Sequence, residues 1–119
     1  MKHILATTLL VLCGCATTAQ PFNQSVQIAA SVNDAVIVTA NSLLTSGTIT
    51  SAQAKKVLAI TDNVNALLSA ANAAYVAGST AVANSDLAVA QTSATQTQTC
   101  LTATATLTAC LAPITGATP

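Results

Sequence analysis

Glycine and proline are sparse over most of this chain, and their positions divide it into three long segments. Between Pro21 and Pro113 the only residues of either kind are Gly47 and Gly78. Within the segments, apolar residues recur mainly at spacings of three and four, which is the period of one helix face. Glycine is the residue that most often follows the end of a helix. The pattern therefore predicts an all-α domain, a small antiparallel bundle of three helices joined by short loops.

The first predicted helix begins at Gln24 and ends before Gly47. Asn23 or Ser25 could cap its start by accepting a hydrogen bond from an unpaired backbone N–H. Its apolar stripe consists of Ile28, Val32, Ala35, Val36, Thr39 and Leu43. This register places Asn33 on a polar face of the helix.

The second predicted helix runs from about Ser51 to Ala77. Thr50 and Gln53 have the spacing of a capping box, in which each residue's side chain bonds the other's backbone N–H. Gly78 has the position of the glycine that follows a helix end. The apolar stripe consists of Val57, Thr61, Val64, Leu68, Ala71 and Tyr75, widened by Leu58, Ile60 and Leu67.

The third segment, which Ser79 or Thr80 can cap, supports two interpretations. Threonines alternate with period two, which favours a strand, in two runs: positions 95, 97 and 99, and then 102, 104, 106 and 108. A seam at spacings of three and four favours a helix and contains Cys100, Ala103, Leu107, Cys110 and Ile114. Because no turn residue lies between Asp86 and Pro113, we predict a helix that ends before Pro113.

Cys100 and Cys110 bear directly on that prediction. In one straight helix their Cα atoms would be about 15 Å apart, from a rise of about 1.5 Å per residue. A disulfide requires a Cα separation below about 7 Å, so an internal disulfide and a continuous helix exclude each other. An internal disulfide, a bond between two chains and a pair of free thiols all stay open. Two further ligands for a zinc site are not visible in the sequence.

Charge is scarce, and this limits the classes of function that the chain can serve. The sequence has three Lys or Arg, three Asp or Glu, and one His. A nucleic-acid surface needs clustered cations, whereas this chain offers the single pair Lys55 and Lys56. Asp34 and Asp62 lie in no recognisable catalytic motif, and Ser51 stands four residues before Lys55 instead of the three that a Ser-x-x-Lys nucleophile requires. We therefore predict a non-enzymatic protein without cofactor, metal or nucleic-acid partner.

The N-terminus has the order of a secretory signal. Lys2 and His3 provide a basic start, and residues 4–12 form an apolar run interrupted only by two threonines. A run of this length is too short to cross a bilayer, which takes about 20 apolar residues. It matches the apolar region of a signal peptide, and we expect no second membrane span further along the chain.

The apolar run ends in Leu12-Cys13-Gly14-Cys15, which resembles the lipobox of bacterial lipoproteins. The resemblance covers residues 1–16 and implies that a diacylglycerol group attaches to the Cys15 thiol. It also implies that signal peptidase II cuts before Cys15 and that the new α-amino group is then acylated. Ala16 stands where an aspartate often retains a lipoprotein at the inner membrane, so the pattern resembles that of outer-membrane members. The alternative is an ordinary thiol at Cys15 near an ordinary secretory cleavage site.

These observations predict four parts: a signal peptide at 1–14, a lipidated tether at 15–23, a helical domain at 24–112 and a disordered tail at 113–119. The expected function is that of a small outer-membrane lipoprotein, a structural or interaction module at the periplasmic face. The alternative is a phage- or prophage-encoded lysis or envelope lipoprotein. The expected partners are the membrane, through the lipid anchor, and either a second copy or an envelope protein, because a small alanine-rich core is marginal alone.

Overall fold

A computed structural model describes residues 21–114 and 116. This part of the chain is all-helical, which confirms the predicted fold class. The elements are α1 (Phe22–Thr45), α2 (Ser51–Val76), α3 (Thr80–Cys100), a 3₁₀ turn (Thr104–Thr106) and α4 (Leu107–Leu111). The predicted count of three helices is wrong, because the third segment is divided into α3 and the short α4.

The two glycines that divide the sequence end α1 and α2. Gly47 and Gly78 have φ angles of 76° and 86°, in the left-handed region that favours glycine. The N–H of Thr48 donates to the carbonyl oxygen of Leu43 at 2.9 Å, and the N–H of Ser79 donates to that of Ala74 at 2.8 Å. Both turns are therefore Schellman motifs, and both helix ends lie where the glycines predict them.

The start of α2 has the predicted capping box. The N–H of Gln53 donates to Thr50 Oγ1 at 3.1 Å, and the N–H of Thr50 donates to Gln53 Oε1 at 2.9 Å. The Gln53 side chain also donates to Thr108 Oγ1 at 3.1 Å. The cap therefore fixes the first turn of α2 and ties it to α4.

We expect Thr50→Ala to lower the free energy of unfolding by about 1 kcal/mol, because the first turn of α2 loses its side-chain acceptor. Ser79→Ala is the matched control, since Ser79 is the N-cap residue of α3 and its side chain makes no capping hydrogen bond. Urea denaturation of residues 16–119 measures both changes. Equal losses in the two variants would show that the Thr50 cap contributes nothing specific.

The start of α1 differs from the prediction. The helix begins at Phe22, with Pro21 as its N-cap residue and without a capping side chain, so the predicted start at Gln24 and the caps Asn23 and Ser25 are wrong. Proline is tolerated here because its missing N–H would have no partner at a helix start. The earlier start brings Phe22 into the core, where its side chain is buried. The predicted tether at 15–23 is therefore two residues too long.

The buried face of α1 is shifted by one residue from the predicted stripe. The buried residues of α1 are Phe22, Ala29, Asn33, Val36 and Ala40. Ile28, which the stripe placed in the core, is exposed over 46% of its surface. A shift of one residue rotates a helix face by about 100°. On α2, by contrast, the predicted stripe from Val57 to Ala71 is buried, and only its last member, Tyr75, is exposed.

Small side chains dominate the contacts among the three long helices, each of which packs against the other two. The buried alanines are Ala29, Ala40, Ala54, Ala71, Ala83, Ala90 and Ala94. Larger apolar volume comes from α2 and from α4, whose Leu107 and Leu111 are fully buried. The C-terminal segment is thus part of the core. Ile114 is also buried, and its N–H donates to the Leu111 carbonyl at 3.0 Å, so a disordered tail that starts at 113 is wrong at its first two residues.

Within residues 21–114 and 116, α1 is the one helix long and apolar enough to cross a membrane, with a mean hydropathy of 1.3 over its best window. Length and composition alone carry little weight, because the core helix of a soluble protein meets the same criterion. α1 also packs against both α2 and α3.

Candidate functional site

Cys15, the predicted lipidation site, lies outside the described residues, as do the whole predicted signal peptide and the predicted tether up to residue 20. The structure does show where the tether enters the domain. Phe22, the first residue of α1, is seven positions after Cys15. An extended chain covers at most about 3.5 Å per residue, so the start of α1 lies within about 25 Å of whatever holds Cys15.

An aromatic pair marks the end of the domain at which the tether enters. Phe22 and Tyr75, the only phenylalanine and the only tyrosine of the chain, stack with their ring centroids 4.3 Å apart and their planes at 2°. Phe22 is buried, whereas Tyr75 is exposed over 44% of its surface. The pair fixes the first turn of α1 against the last turn of α2.

Two exposed valines flank the α2–α3 turn at this same end. Val76, the last residue of α2, is exposed over 80% of its surface, and Val82, in the first turn of α3, over 54%. Together with Tyr75 they give this end an apolar surface. We call Tyr75, Val76 and Val82 the tether-side cluster.

Cys100 and Cys110 form a disulfide with their Cα atoms 5.6 Å apart. The predicted continuous helix from 80 to 112 is therefore wrong: α3 ends at Cys100, and the chain turns at Ala103 before the 3₁₀ turn and α4. Among the three states that the sequence left open, the structure has the internal bond.

Threonine hydroxyls stabilise the break after α3. Thr102 Oγ1 donates to the Thr99 carbonyl at 2.6 Å, and Thr106 Oγ1 donates to the Ala103 carbonyl at 3.3 Å. Each carbonyl also accepts a backbone N–H, Thr99 from Thr102 at 3.1 Å and Ala103 from Thr106 at 3.2 Å, so each hydroxyl adds a second local hydrogen bond to its turn. The sequence contains no glycine or proline at this point. The signals that could have predicted the break are the low helix propensity of the threonines and the cysteine pair itself.

A cleft of about 320 Å³ lies beside the disulfide. It is lined by Thr95, Gln96, Thr99, Cys100, Cys110, Pro113 and Ile114. The lining residues provide hydroxyl, amide and apolar groups but no ionisable side chain, since both cysteines are bonded to each other. The cleft is thus suited to contact with neutral groups and not to acid–base chemistry.

Asn33, which the sequence places on a polar face of α1, is buried in the structure. It is exposed over only 1% of its surface, and its Nδ2 donates to the Thr61 carbonyl and to Asn65 Oδ1, both at 3.1 Å. The residue lies in the buried seam of α1, between Ala29 and Val36. Its two hydrogen bonds join the middle of α1 to the middle of α2. They fix the position of one helix along the other, which apolar contacts alone do not specify.

The structure does not bring the remaining catalytic candidates together. Ser51 is the first residue of α2, and both it and Lys55 are exposed. Asp34 and Asp62 are exposed on α1 and α2 respectively. In the described ranges, no group of three or more His, Cys, Asp or Glu side chains lies close enough to hold a metal ion.

Loss of the disulfide is expected to lower the free energy of unfolding by about 3 kcal/mol, from the chain entropy of the short loop that it closes. The variant carrying both Cys100→Ser and Cys110→Ser should show this loss in urea denaturation of residues 16–119. Reduction of the parent protein should produce the same loss, and a reductant should leave the double variant unchanged. If reduction left the free energy of unfolding of the parent protein unchanged, the disulfide would not contribute to stability as expected.

Comparison with models of known protein families, with curated proteins and with solved structures gave no match to this chain.

Proposed function

We propose that this protein is a small outer-membrane lipoprotein, held by lipid on Cys15, whose helical domain is a non-enzymatic structural or interaction module at the periplasmic face. The observation that carries the proposal is Leu12-Cys13-Gly14-Cys15 directly after the apolar run. Two or more acyl chains anchor a protein stably, because each buried CH₂ contributes about 0.8 kcal/mol. Ala16 in place of aspartate supports the outer membrane as the destination.

The disulfide supports export of the chain. Disulfides form and persist in oxidising compartments, including the bacterial periplasm, and are rare in the cytosol. With Cys15 lipidated and the signal removed, Cys100 and Cys110 are the two remaining cysteines of the mature protein. Their bond leaves no thiol unpaired, which suits a protein resident in the periplasm.

The proposal includes an antiparallel bundle of the three long helices as the body of the module. Phe22 at the start of α1 stacks on Tyr75 at the end of α2. Gln53 at the start of α2 bonds Thr108, which follows the end of α3. Both contacts support neighbouring helices that run in opposite directions. In this arrangement Lys55 and Lys56 lie far from the tether.

A groove along α1 and α2 supports the interaction role. Its volume is about 440 Å³, and it is lined by Asn23, Val26, Gln27, Ala30, Asn65, Leu68, Ser69 and Asn72. Amides and small apolar groups of this kind suit contact with the backbone of an envelope protein, because amides both donate and accept hydrogen bonds. An envelope protein or a second copy is the proposed partner.

Density-gradient separation of membranes tests the proposed location. The wild-type protein should be recovered with the outer membrane, and protease should digest it only after the cells are permeabilised. Recovery in the soluble periplasmic fraction would contradict the anchor, and recovery with the inner membrane would contradict the destination.

A further inference from the structure

The tether-side cluster is the largest group of exposed apolar side chains at either end of the long helices. Tyr75, Val76 and Val82 are exposed over 44%, 80% and 54% of their surfaces. All three lie within about one helical turn of the connection between α2 and α3. Exposure of this kind costs free energy in water, so an apolar or interfacial environment would stabilise these side chains.

The same end is almost free of charge. Asp86 is six residues after Thr80, the first residue of α3, so it lies about 9 Å along the helix from this end. Along α2, Asp62 is about 21 Å from Val76, and Lys56 is about 30 Å from it, at a rise of about 1.5 Å per residue. A carboxylate is repelled by an anionic headgroup layer, and among the described residues only Asp86 lies within two turns of this end.

The proposed tether enters the domain at this end, which makes it the end of α1 nearest to the anchor along the chain. Phe22, where the described helix begins, stacks directly on Tyr75. If Cys15 is in the bilayer surface, the tether holds Phe22 within about 25 Å of it. The far end of α1, at Leu44, is about 33 Å further along the helix.

We infer that the tether-side cluster rests in the lipid surface, with the Tyr75 ring and the side chains of Val76 and Val82 in the headgroup region, so that the helices stand away from the membrane. This inference rests on the proposed lipid anchor. Tyrosine suits such a position because its ring is apolar and its hydroxyl is polar, the arrangement that concentrates tyrosine at membrane interfaces.

The test uses the lipidated full chain in vesicles of phosphatidylethanolamine and phosphatidylglycerol with acyl chains brominated close to the glycerol. The chain has no tryptophan, so Val76→Trp provides a single reporter in the cluster and Leu44→Trp a matched reporter at the far end. We expect the tryptophan at position 76 to lose roughly half its emission to the bromine atoms and the one at position 44 to lose almost none. The emission of Tyr75, the only tyrosine, should be quenched in the unsubstituted protein.

Absence of quenching at position 76, equal quenching at positions 76 and 44, or an unquenched Tyr75 would overturn the inference. A tryptophan at position 76 that is shielded from water even without vesicles would also overturn it. Shielding without vesicles would identify a second copy as the occupant. The mass of the N-terminal peptide from the same sample separates the two proposals. If Cys15 carries lipid but the cluster is not quenched, the proposed anchor is supported and the inference about the cluster is contradicted. An unmodified Cys15 removes both.

Discussion

Cys15→Ser is expected to abolish incorporation of radioactive palmitate and to leave an uncut precursor. The thiol of Cys15 is the proposed attachment point of the diacylglycerol group, and the serine hydroxyl cannot form the same thioether. Cleavage before residue 15 depends on that modification in proteins with a lipobox, so the precursor should accumulate. Since it retains the apolar residues 4–12, the precursor can stay with membranes without lipid, and labelling is therefore the better measurement than fractionation.

Cys13→Ser is the matched control. A small residue at that position suits the lipobox, so labelling should stay largely intact. Loss of labelling in Cys13→Ser but not in Cys15→Ser would show that Cys13, and not Cys15, carries the lipid. Full labelling in both variants would contradict the lipoprotein proposal and leave an ordinary secreted helical protein.

Asn33→Asp is expected to lower the free energy of unfolding by about 3–5 kcal/mol at neutral pH, the range for an uncompensated buried charge. The Asn33 amide donates to the Thr61 carbonyl and to Asn65 Oδ1. An aspartate at this position loses both donors and places a carboxylate oxygen against the Thr61 carbonyl. Because the whole stability of a small domain is about 5–15 kcal/mol, circular dichroism should show partial or complete unfolding at neutral pH.

The loss should depend on pH in a defined direction. Burial and the neighbouring acceptor raise the pKa of the introduced carboxyl in the folded state above its unfolded value of about 3.9. The folded state then binds more protons than the unfolded state between the two pKa values, so stability falls as pH rises through that interval. Below about pH 4 the protonated carboxyl donates to the Thr61 carbonyl, and much of the loss should be recovered.

Asn41→Asp is the matched control, because Asn41 is an exposed asparagine on the same helix. Its substitution should cost well under 1 kcal/mol, from an acidic group near a helix C-terminus. Equal effects at positions 33 and 41, or a loss at position 33 that does not change with pH, would contradict the buried role of Asn33.

Local signals predicted the boundaries of α2 well. Its capping box, its stripe from Val57 to Ala71 and its terminating Gly78 all depend on residues close together in the chain, so the sequence contains them directly. The turn at Gly47 follows the same logic, since a left-handed φ favours glycine wherever it occurs. The all-α class follows from the two glycines and from the apolar residues that recur at spacings of three and four in the segments between them.

Which face of α1 is buried depends on its contacts with the other helices. Its most apolar face includes Ile28, which is exposed, and Val32, which is only partly buried against the core, whereas Ala29 and Asn33 are fully in the buried face. Alanines allow close approach between helices, and Asn33 finds its partners 28 and 32 residues away in sequence. Periodicity of hydrophobicity contains neither fact, so it placed the face one residue too early.

The break at the end of α3 is likewise set by a partner on another element, ten residues further along the chain. Cys110 can reach Cys100 only if the chain reverses, and no glycine or proline between them signals the reversal. The cluster of Tyr75, Val76 and Val82 at the tether end could not be predicted either, because it requires the position of Phe22 against α2. The proposal of Cys15 as the lipidation site, by contrast, comes from the sequence alone.

The mass of the N-terminal peptide of the mature protein, purified from envelopes, tests the central claim most directly. The account predicts a peptide that begins at Cys15 and carries a diacylglyceryl group on the thiol and an acyl chain on the α-amino group. A mature protein that begins at another residue, or one that begins at Cys15 without lipid, would contradict it.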